Sequence, residues 1–410
     1  MSQTFLEESH FTPKEELYEH AALSVLRSSF IALPGTSEWI AASIMKKPVE
    51  ICDLNGKLLF LDFCVRKGTQ TLGYVRTCAS GILGSPVLAH ELGERHWDFD
   101  LAVKKLSPQI RKENPSSKIL DTKLVCYSYP KLGVMFEMAD SQGRKTRRIF
   151  DVAALSPIIE GPIKSGMEGP YSWSFYDAIP EEARSVRLEQ FALYNKLRSQ
   201  IPLKTRELLR TSSSLLRLKD AIKWQINRAI TKQLQFCDHY GYDEARSHHC
   251  FVLHGQQTDD YCAVATAQMI LCYYRYYYSQ DDIAPALGYS AGSGCPSDQS
   301  SGYEKLSCSH IDATYDSSPT WEKARDEINA LHPFKSGISG HARACAGHSS
   351  VLWLIPILRP LLKITDRKLF IYDPWPWNSD YKLGGSVYWE DWDSVTHTNF
   401  VLTRILCSQD

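Results

Sequence analysis

The sequence predicts an α+β protein, in which helices pack against antiparallel sheets, and two patterns indicate this class. In the first half, short runs of alternating apolar and polar residues are separated by turn residues, which is typical of antiparallel strands. In the second half, a polar turn leads into a helix of small and apolar residues, and strands follow further along the chain. We therefore expect an α+β domain in each half, with a helical segment between them.

Residues 1–160 are predicted to form a small α+β domain. Thr12-Pro13-Lys14-Glu15 has the pattern of a capping box with proline at the first helical position, so a helix is expected to continue to about Phe30. The turn at Asn55-Gly56 precedes an apolar run that is typical of a hairpin strand. Strands are expected at residues 58–65, 72–78, 123–129 and 133–138, and a short helix is expected at 99–105.

Residues 161–235 are predicted to be a linker followed by a basic helical segment. The stretch 161–180 is rich in glycine, proline and serine, which is typical of a linker or a surface loop. From Glu181 to about Lys232 the pattern is helical and contains many arginines. We interpret it as solvated helices whose apolar residues pack on a neighbouring element, and the alternative is a surface for an anionic partner.

The composition is that of a globular protein and argues against several classes. With 410 residues and a formal net charge of −1, the chain has no excess of positive charge for binding nucleic acid. Its longest apolar run, 351–358, is far shorter than the roughly 20 residues that a membrane helix needs. The N-terminus lacks the cationic start and apolar stretch of a secretory signal. We expect a cytoplasmic protein with reduced cysteines and no membrane partner, although export without such a signal stays open.

A dense cluster of potential metal ligands lies at His248, His249, Cys250 and His254. The spacing of these residues matches no standard zinc site, and no second pair of ligands follows at a suitable distance. We therefore expect no metal ion and no other cofactor.

Cys262 is the candidate nucleophile, because residues 255–271 form a polar turn that leads into a helix and Cys262 falls in its first turn. Backbone N–H groups at a helix start are unpaired and the helix dipole is positive there, so the position favours a thiolate. Gln256 precedes the cysteine by six residues, and its amide is expected to donate to a developing oxyanion, with Gln257 as the alternative. A cysteine that only fills the core is the competing interpretation.

His341 and Asp373 are the candidate partners of this cysteine, since a thiolate nucleophile needs a proton acceptor and the acceptor needs orienting. His341 follows a glycine in a stretch of small residues that indicates a strand, and Asp373 ends the next predicted strand. An aspartate there is expected to accept the second imidazole N–H. His348, seven residues further on, is the alternative base, and Asp373 is alternatively a turn former before a proline.

Gln256, Cys262, Gly340-His341 and Asp373-Pro374 together resemble the motifs of papain-like cysteine peptidases of the double-glycine leader (bacteriocin-processing) type and of related bacterial papain-like proteases. In those families a glutamine lies about six residues before a cysteine that begins a helix. A Gly-His then enters a strand, and an Asp-Pro follows the next strand. The resemblance covers about residues 250–406. Within that range the four motifs occur in the same order, and in the same predicted structural context, as in the family.

The resemblance implies a papain-like domain at 236–410, in which a helix that carries the cysteine packs on an antiparallel sheet. It implies hydrolysis of peptide bonds through a Cys-His-Asp triad and an acyl-enzyme intermediate, with a peptide or protein as substrate. Transfer of the acyl group to an amine, and a non-catalytic binding protein on the same scaffold, are the alternatives.

The sequence departs from the family pattern at His348, where the family often has an aromatic residue, and by an insertion at 349–366 that lengthens the interval before Asp373. The strands at 56–87 resemble those of cystatin-fold pro-domains, which implies that the N-terminal domain regulates the catalytic domain within the chain.

Overall fold

The computed structural model describes residues 8–161, 166–169, 171–211, 215–216, 219, 229–237, 251–355 and 362–406. Within these ranges there are eight α-helices and one large, mostly antiparallel sheet. The predicted combination of helices with an antiparallel sheet is confirmed. Among the helices described here, none is both long enough and apolar enough to cross a membrane.

The helices are numbered in chain order: α1 Lys14–Ile31, α2 Phe99–Glu113, α3 Glu181–Ser199, α4 Leu203–Thr211, α5 Cys262–Tyr273, α6 Gln280–Ala286, α7 Ser300–Leu306 and α8 Trp321–Asn329. The first nine strands are β1 Ser43–Ile44, β2 Val49–Asp53, β3 Leu58–Lys67, β4 Gln70–Cys78, β5 Val87–Leu92, β6 Lys118–Ser128, β7 Lys131–Ala139, β8 Lys145–Asp151 and β9 Pro157–Ile158. The remaining strands are β10 Met167–Glu168, β11 Ala229–Phe236, β12 Cys295–Pro296, β13 Ile311–Asp316, β14 Phe334–Ile338, β15 His341–Ile355, β16 Leu362–Asp373, β17 Ser386–Asp391 and β18 His397–Ile405.

The elements predicted for the first 160 residues are present, with one correction at the start of α1. Strands β3, β4 and β7 cover the runs predicted for them, and β6 covers its run except for the last residue, Tyr129. Helix α2 begins at Phe99 as expected but continues to Glu113. Pro13, and not Thr12, precedes the first helical residue, and no side chain caps the helix there. Because proline already fixes a backbone angle that suits a helix start, α1 forms without the predicted capping box.

One sheet runs through both halves of the chain. Its strand order is β13-β18-β14-β15-β16-β17-β5-β4-β3-β2-β6-β7-β8-β9, with β1 added to β3 and β11 added to β15. The two halves join where β17 pairs antiparallel with β5, from Val387 opposite Leu92 to Glu390 opposite Ala89. The domain boundaries at 160 and 235 stay predictions, and the backbone pairing continues across both.

The basic segment is helical only in part. Helices α3 and α4 are present, but Lys232 lies in strand β11, which pairs with β15. The helix predicted up to Lys232 is therefore wrong at its end, because β-branched residues and period-two alternation at 229–236 suit an edge position beside β15. Arg198 and Arg210 bind the fully buried Glu19 of α1, so these basic residues hold the helices to a neighbouring element.

Candidate active site

Cys262 begins α5, as the sequence predicts, and it has no exposed surface. Burial raises the pKa of its thiol, and Glu168 raises it further. The Lys131 ammonium and the backbone N–H groups of Ala342 and Ala263 lower it. Since the net shift is upward, the thiol is protonated in this closed arrangement, and the thiolate expected at the helix start is not the resting form.

His341 is the first residue of β15 and is fully buried. Its Nε2 lies 2.9 Å from Asp373 Oδ1. Its Nδ1 is buried and has no hydrogen-bond partner among the described residues. Burial lowers the pKa of His341 to about 4, and Asp373 only partly offsets this effect. The imidazole is therefore neutral, with Nδ1 as the nitrogen available to take a proton.

Asp373 is the last residue of β16, which pairs along β15 and so brings the carboxylate beside His341. Besides the His341 ring, its oxygens accept from the Tyr388 hydroxyl at 2.7 Å and from the Trp375 backbone N–H at 2.8 Å. Burial alone would raise the pKa of Asp373, but His341, Arg343 and Tyr388 together hold it below its usual range. The group is thus an ionised carboxylate with a fixed orientation.

The alternative base, His348, lies elsewhere on β15. Its Nε2 is 2.8 Å from Asn329 Oδ1, and its ring lies edge-on to Trp321. His341 thus contacts a carboxylate, that of Asp373, whereas His348 contacts an amide, that of Asn329 on α8. The choice of His341 as general base stays a prediction that this geometry favours.

Gln256 is fully buried in the turn before α5. Its side-chain amide donates to the Thr258 carbonyl at 2.6 Å, which leaves a second N–H for another acceptor. Its backbone N–H donates to the Pro374 carbonyl at 2.9 Å, so the turn is tied to the segment that follows Asp373. Gln257, the alternative, donates its amide to the Ser379 carbonyl.

These residues all lie within the part of the chain that a known family matches. Residues 251–397 match the Peptidase_C39 like family. C39 is the double-glycine peptidase family, so the resemblance to the papain-like cysteine peptidase superfamily is confirmed for this C39-like region. A search of curated proteins gave no match.

Two residues beside the candidate triad were not predicted. Tyr388, on β17, donates to Asp373 and lies 3.3 Å from Arg343, which forms a buried ion pair with Glu390. Nothing local in the sequence distinguishes Tyr388, because its role depends on the pairing of β17 with β16.

Lys131 is the second such residue and comes from outside the C39-like region. It begins β7, is almost completely buried, and lowers the pKa of both Cys262 and His341. Lys131 lies between the strands predicted at 123–129 and 133–138, where a lysine after a proline would be expected on the surface, so the local pattern did not indicate its position.

Residues from the first half close the site. Gly169 donates its N–H to the Gly340 carbonyl at 3.2 Å, and the Trp173 indole donates to the Ser339 carbonyl at 3.0 Å. The Trp375 indole, two residues after Asp373, donates in turn to Asp151 at 2.9 Å. The reactive groups are therefore enclosed between the C39-like region and the chain that precedes it.

The predicted absence of a metal site concerns a cluster that is mostly outside the described residues. His248, His249 and Cys250 belong to that undescribed part, and the ring of His254 packs edge-on against Tyr381. Across the described ranges, no group of three or more histidine, cysteine or acidic side chains is placed to hold a metal ion.

Proposed function

We propose that the protein is a papain-like cysteine peptidase, in which Cys262 is the nucleophile, His341 the general base and Asp373 the residue that orients the base. The observation that carries this proposal is the buried hydrogen bond from His341 Nε2 to Asp373, which leaves Nδ1 without a partner among the described residues. The Ala342 backbone N–H lowers the pKa of the Cys262 thiol, and Ala342 directly follows His341 in β15. The sulfur on α5 therefore lies next to the start of β15. We assign the catalytic domain to 236–410, with β11 added at its N-terminal side.

The proposed reaction uses the neutral thiol and imidazole as a pair. His341 Nδ1 takes the thiol proton as the Cys262 sulfur forms a bond to the substrate carbonyl carbon. The imidazolium then gives this proton to the leaving amine as the amide C–N bond breaks, which leaves a thioester. Water attacks the thioester, loses a proton to His341, and releases the carboxylic acid and the free thiol.

Three further groups assist this cycle. The Asp373 carboxylate stabilises the imidazolium and keeps Nδ1 directed away from itself, since it holds Nε2. The Cys262 backbone N–H and the second N–H of the Gln256 amide are the proposed donors to the oxyanion. Loss of one such donor typically lowers kcat by about 10² to 10³.

Cys262→Ala tests the proposal directly. We expect the variant to keep its fold and to lose at least about 10³-fold in peptide hydrolysis, because no other group replaces the sulfur. Cys308→Ala is the matched control, since Cys308 is exposed and lies outside the site. Hydrolysis by Cys262→Ala at the wild-type rate would contradict the proposed function. Inclusion of an added amine in the assay separates hydrolysis from acyl transfer through the products formed.

A further inference from the structure

A short extended segment, Gly166–Gly169, lies along the C39-like region as an added strand. Within it β10 pairs antiparallel with β12, with Met167 opposite Pro296 and Glu168 opposite Cys295. The Ser297 N–H also donates to the Gly166 carbonyl at 2.8 Å. Addition of an extended strand to an exposed edge is a common way for proteins to bind peptides, because the backbone bonds give affinity and the side-chain pockets give specificity.

The segment ends at the candidate triad. Gly169 follows directly after β10, and its N–H donates to the carbonyl of Gly340, the residue before His341. Its own carbonyl lies 3.5 Å from Lys131 Nζ. Glu168 is close enough to Cys262 to raise the pKa of the thiol. The segment therefore runs along the edge toward the reactive groups, as the chain of a bound substrate would.

The backbone of the segment fits so closely that glycine is required on both sides of the contact. A Cβ added to Gly169 would lie 2.6 Å from the Ser293 carbonyl oxygen. A Cβ added to Gly294 would lie 1.7 Å from the Glu168 carbonyl oxygen, and Gly294 has φ of +78°. The C39-like region thus has no room for a side chain at the position of Gly169.

The side chain of Glu168 occupies a polar pocket in the C39-like region. Its carboxylate, 1% exposed, lies 2.5 Å from Lys335 Nζ and accepts from the Gln299 amide at 2.8 Å. Lys335 has no exposed surface, and its ammonium also donates to the Ser297 carbonyl and to Asn399. A buried ammonium without an anion is costly, so this pocket favours an acidic occupant.

We propose that this edge is the substrate subsite of the peptidase, that it takes an extended peptide with an acidic residue followed by glycine, and that Gly166–Gly169 occupies it as an internal inhibitor. The inference rests on the proposed function. Cys262 and His341 have no exposed surface, and withdrawal of this segment would open the edge beside them to a substrate. The carboxylate of the substrate then replaces that of Glu168 at Lys335.

Glu168→Lys in the full chain tests the inhibitor, because a second ammonium opposite Lys335 repels the segment from the pocket. We expect iodoacetamide to label Cys262 at least about tenfold faster in this variant than in the wild type, which corresponds to about 1.4 kcal/mol. Asp177→Lys makes the same kind of change at an exposed residue of the same stretch and should label as the wild type does. Glu168→Gln, which keeps the shape of the side chain, should also label faster and covers the case in which the lysine variant fails to fold.

Peptide hydrolysis by the variant that labels faster tests the subsite. Two peptides that end in Met-Glu-Gly and Met-Gln-Gly before a fluorogenic amide differ only in the charge that Lys335 would meet. We expect kcat/KM to favour the glutamate peptide by about 10- to 100-fold, as is typical for a hydrogen bond to a charged group.

The outcomes separate the two proposals. If neither Glu168 variant labels Cys262 faster than Asp177→Lys does, the internal inhibitor is overturned. If kcat/KM is equal for the two peptides, the acidic subsite is overturned. Either result leaves the proposed function standing if Cys262 is still labelled and a peptide is still cleaved. If no variant cleaves any peptide and Cys262 labels no faster than the exposed Cys308, the proposed function itself fails.

Discussion

At the residue scale, the site combines a protonated thiol, a neutral imidazole and an ionised carboxylate, all without exposed surface. A neutral pair is the form that burial favours, because a thiolate and an imidazolium would both lose solvation. The carboxylate remains charged because three hydrogen-bond donors surround it. In the proposed mechanism, the thiolate–imidazolium pair that attacks the substrate therefore forms only when substrate has entered.

The effect of Lys131 on the protonation of the Cys262 thiol can be measured directly. Its ammonium lowers the pKa of the Cys262 thiol, so Lys131→Met should raise that pKa and shift the pH profile of iodoacetamide labelling upward. We expect the labelling rate at neutral pH to fall about tenfold, or about 1.4 kcal/mol. Lys118→Met, at an exposed position in the same half, is the control. A profile that is unchanged in Lys131→Met would show that the ammonium does not act on the thiol.

At the element scale, the parts of the site that depend on local pattern were predicted from the sequence. The helix start at Cys262 and the strands that carry His341 and Asp373 lie where the turn and alternation patterns place them. The strand β11 was missed because its pairing with β15 outweighs the helical pattern of the preceding residues. Lys131 was missed for a related reason, since only the long-range packing of β7 brings it to the site.

Helices α1 and α3 are joined by a buried charge that gives a stability test. Glu19 on α1 has no exposed surface and pairs with Arg198 on α3 and with Arg210 on α4. Arg198→Met should lower the free energy of unfolding by about 3 kcal/mol, the lower end for breaking a buried pair, because Arg210 still meets the carboxylate.

The matched control for this substitution is Lys14→Met. Lys14 pairs with Glu50 at an exposed site on the same helix, where we expect a cost below about 1 kcal/mol. Urea unfolding of both variants measures the difference. Equal midpoints for the two variants would argue against α3 being held to α1 by this buried charge.

At the scale of the whole molecule, the two halves share a sheet and a core. Ile338 and Trp375 from the second half pack in one cluster with Phe60 and Tyr129 from the first. Because β17 pairs with β5, removal of the first half would leave an unpaired strand edge in the C39-like region. The part of the chain that resembles a pro-domain is therefore joined to the C39-like region through a shared sheet and a shared core.

Buried histidines make the stability of the whole chain depend on pH. Burial lowers the pKa of six described histidines: to about 3 for His20 and His90, to about 4 for His254, His341 and His348, and well below its ordinary value for His397. In the unfolded chain these groups titrate near ~6.5, so acidification below that value protonates the unfolded state first. Stability should fall between pH 6.5 and about 4.

Two buried carboxyl groups oppose this trend. Burial raises the pKa of Asp53 to about 6 and that of Asp391 to about 7, so the folded state binds protons there. Because six histidines outnumber these two carboxyl groups, we expect a net loss of stability on acidification. It would be measured as a lower urea midpoint at pH 4.5 than at pH 7. His348→Gln should weaken this dependence, whereas His96→Gln, at an exposed residue, should not. A midpoint that rises on acidification would contradict the expectation.

In the proposed site, His341 is held by Asp373 and activates Cys262. The most direct measurement compares the rate at which iodoacetamide labels Cys262 at neutral pH in His341→Gln and His348→Gln, two matched changes on the same strand. We expect His341→Gln to label at least about tenfold more slowly than the wild type, because the thiol loses its proton acceptor, and His348→Gln to label within about twofold of it. Slow labelling in His348→Gln, together with a wild-type rate in His341→Gln, would contradict the claim.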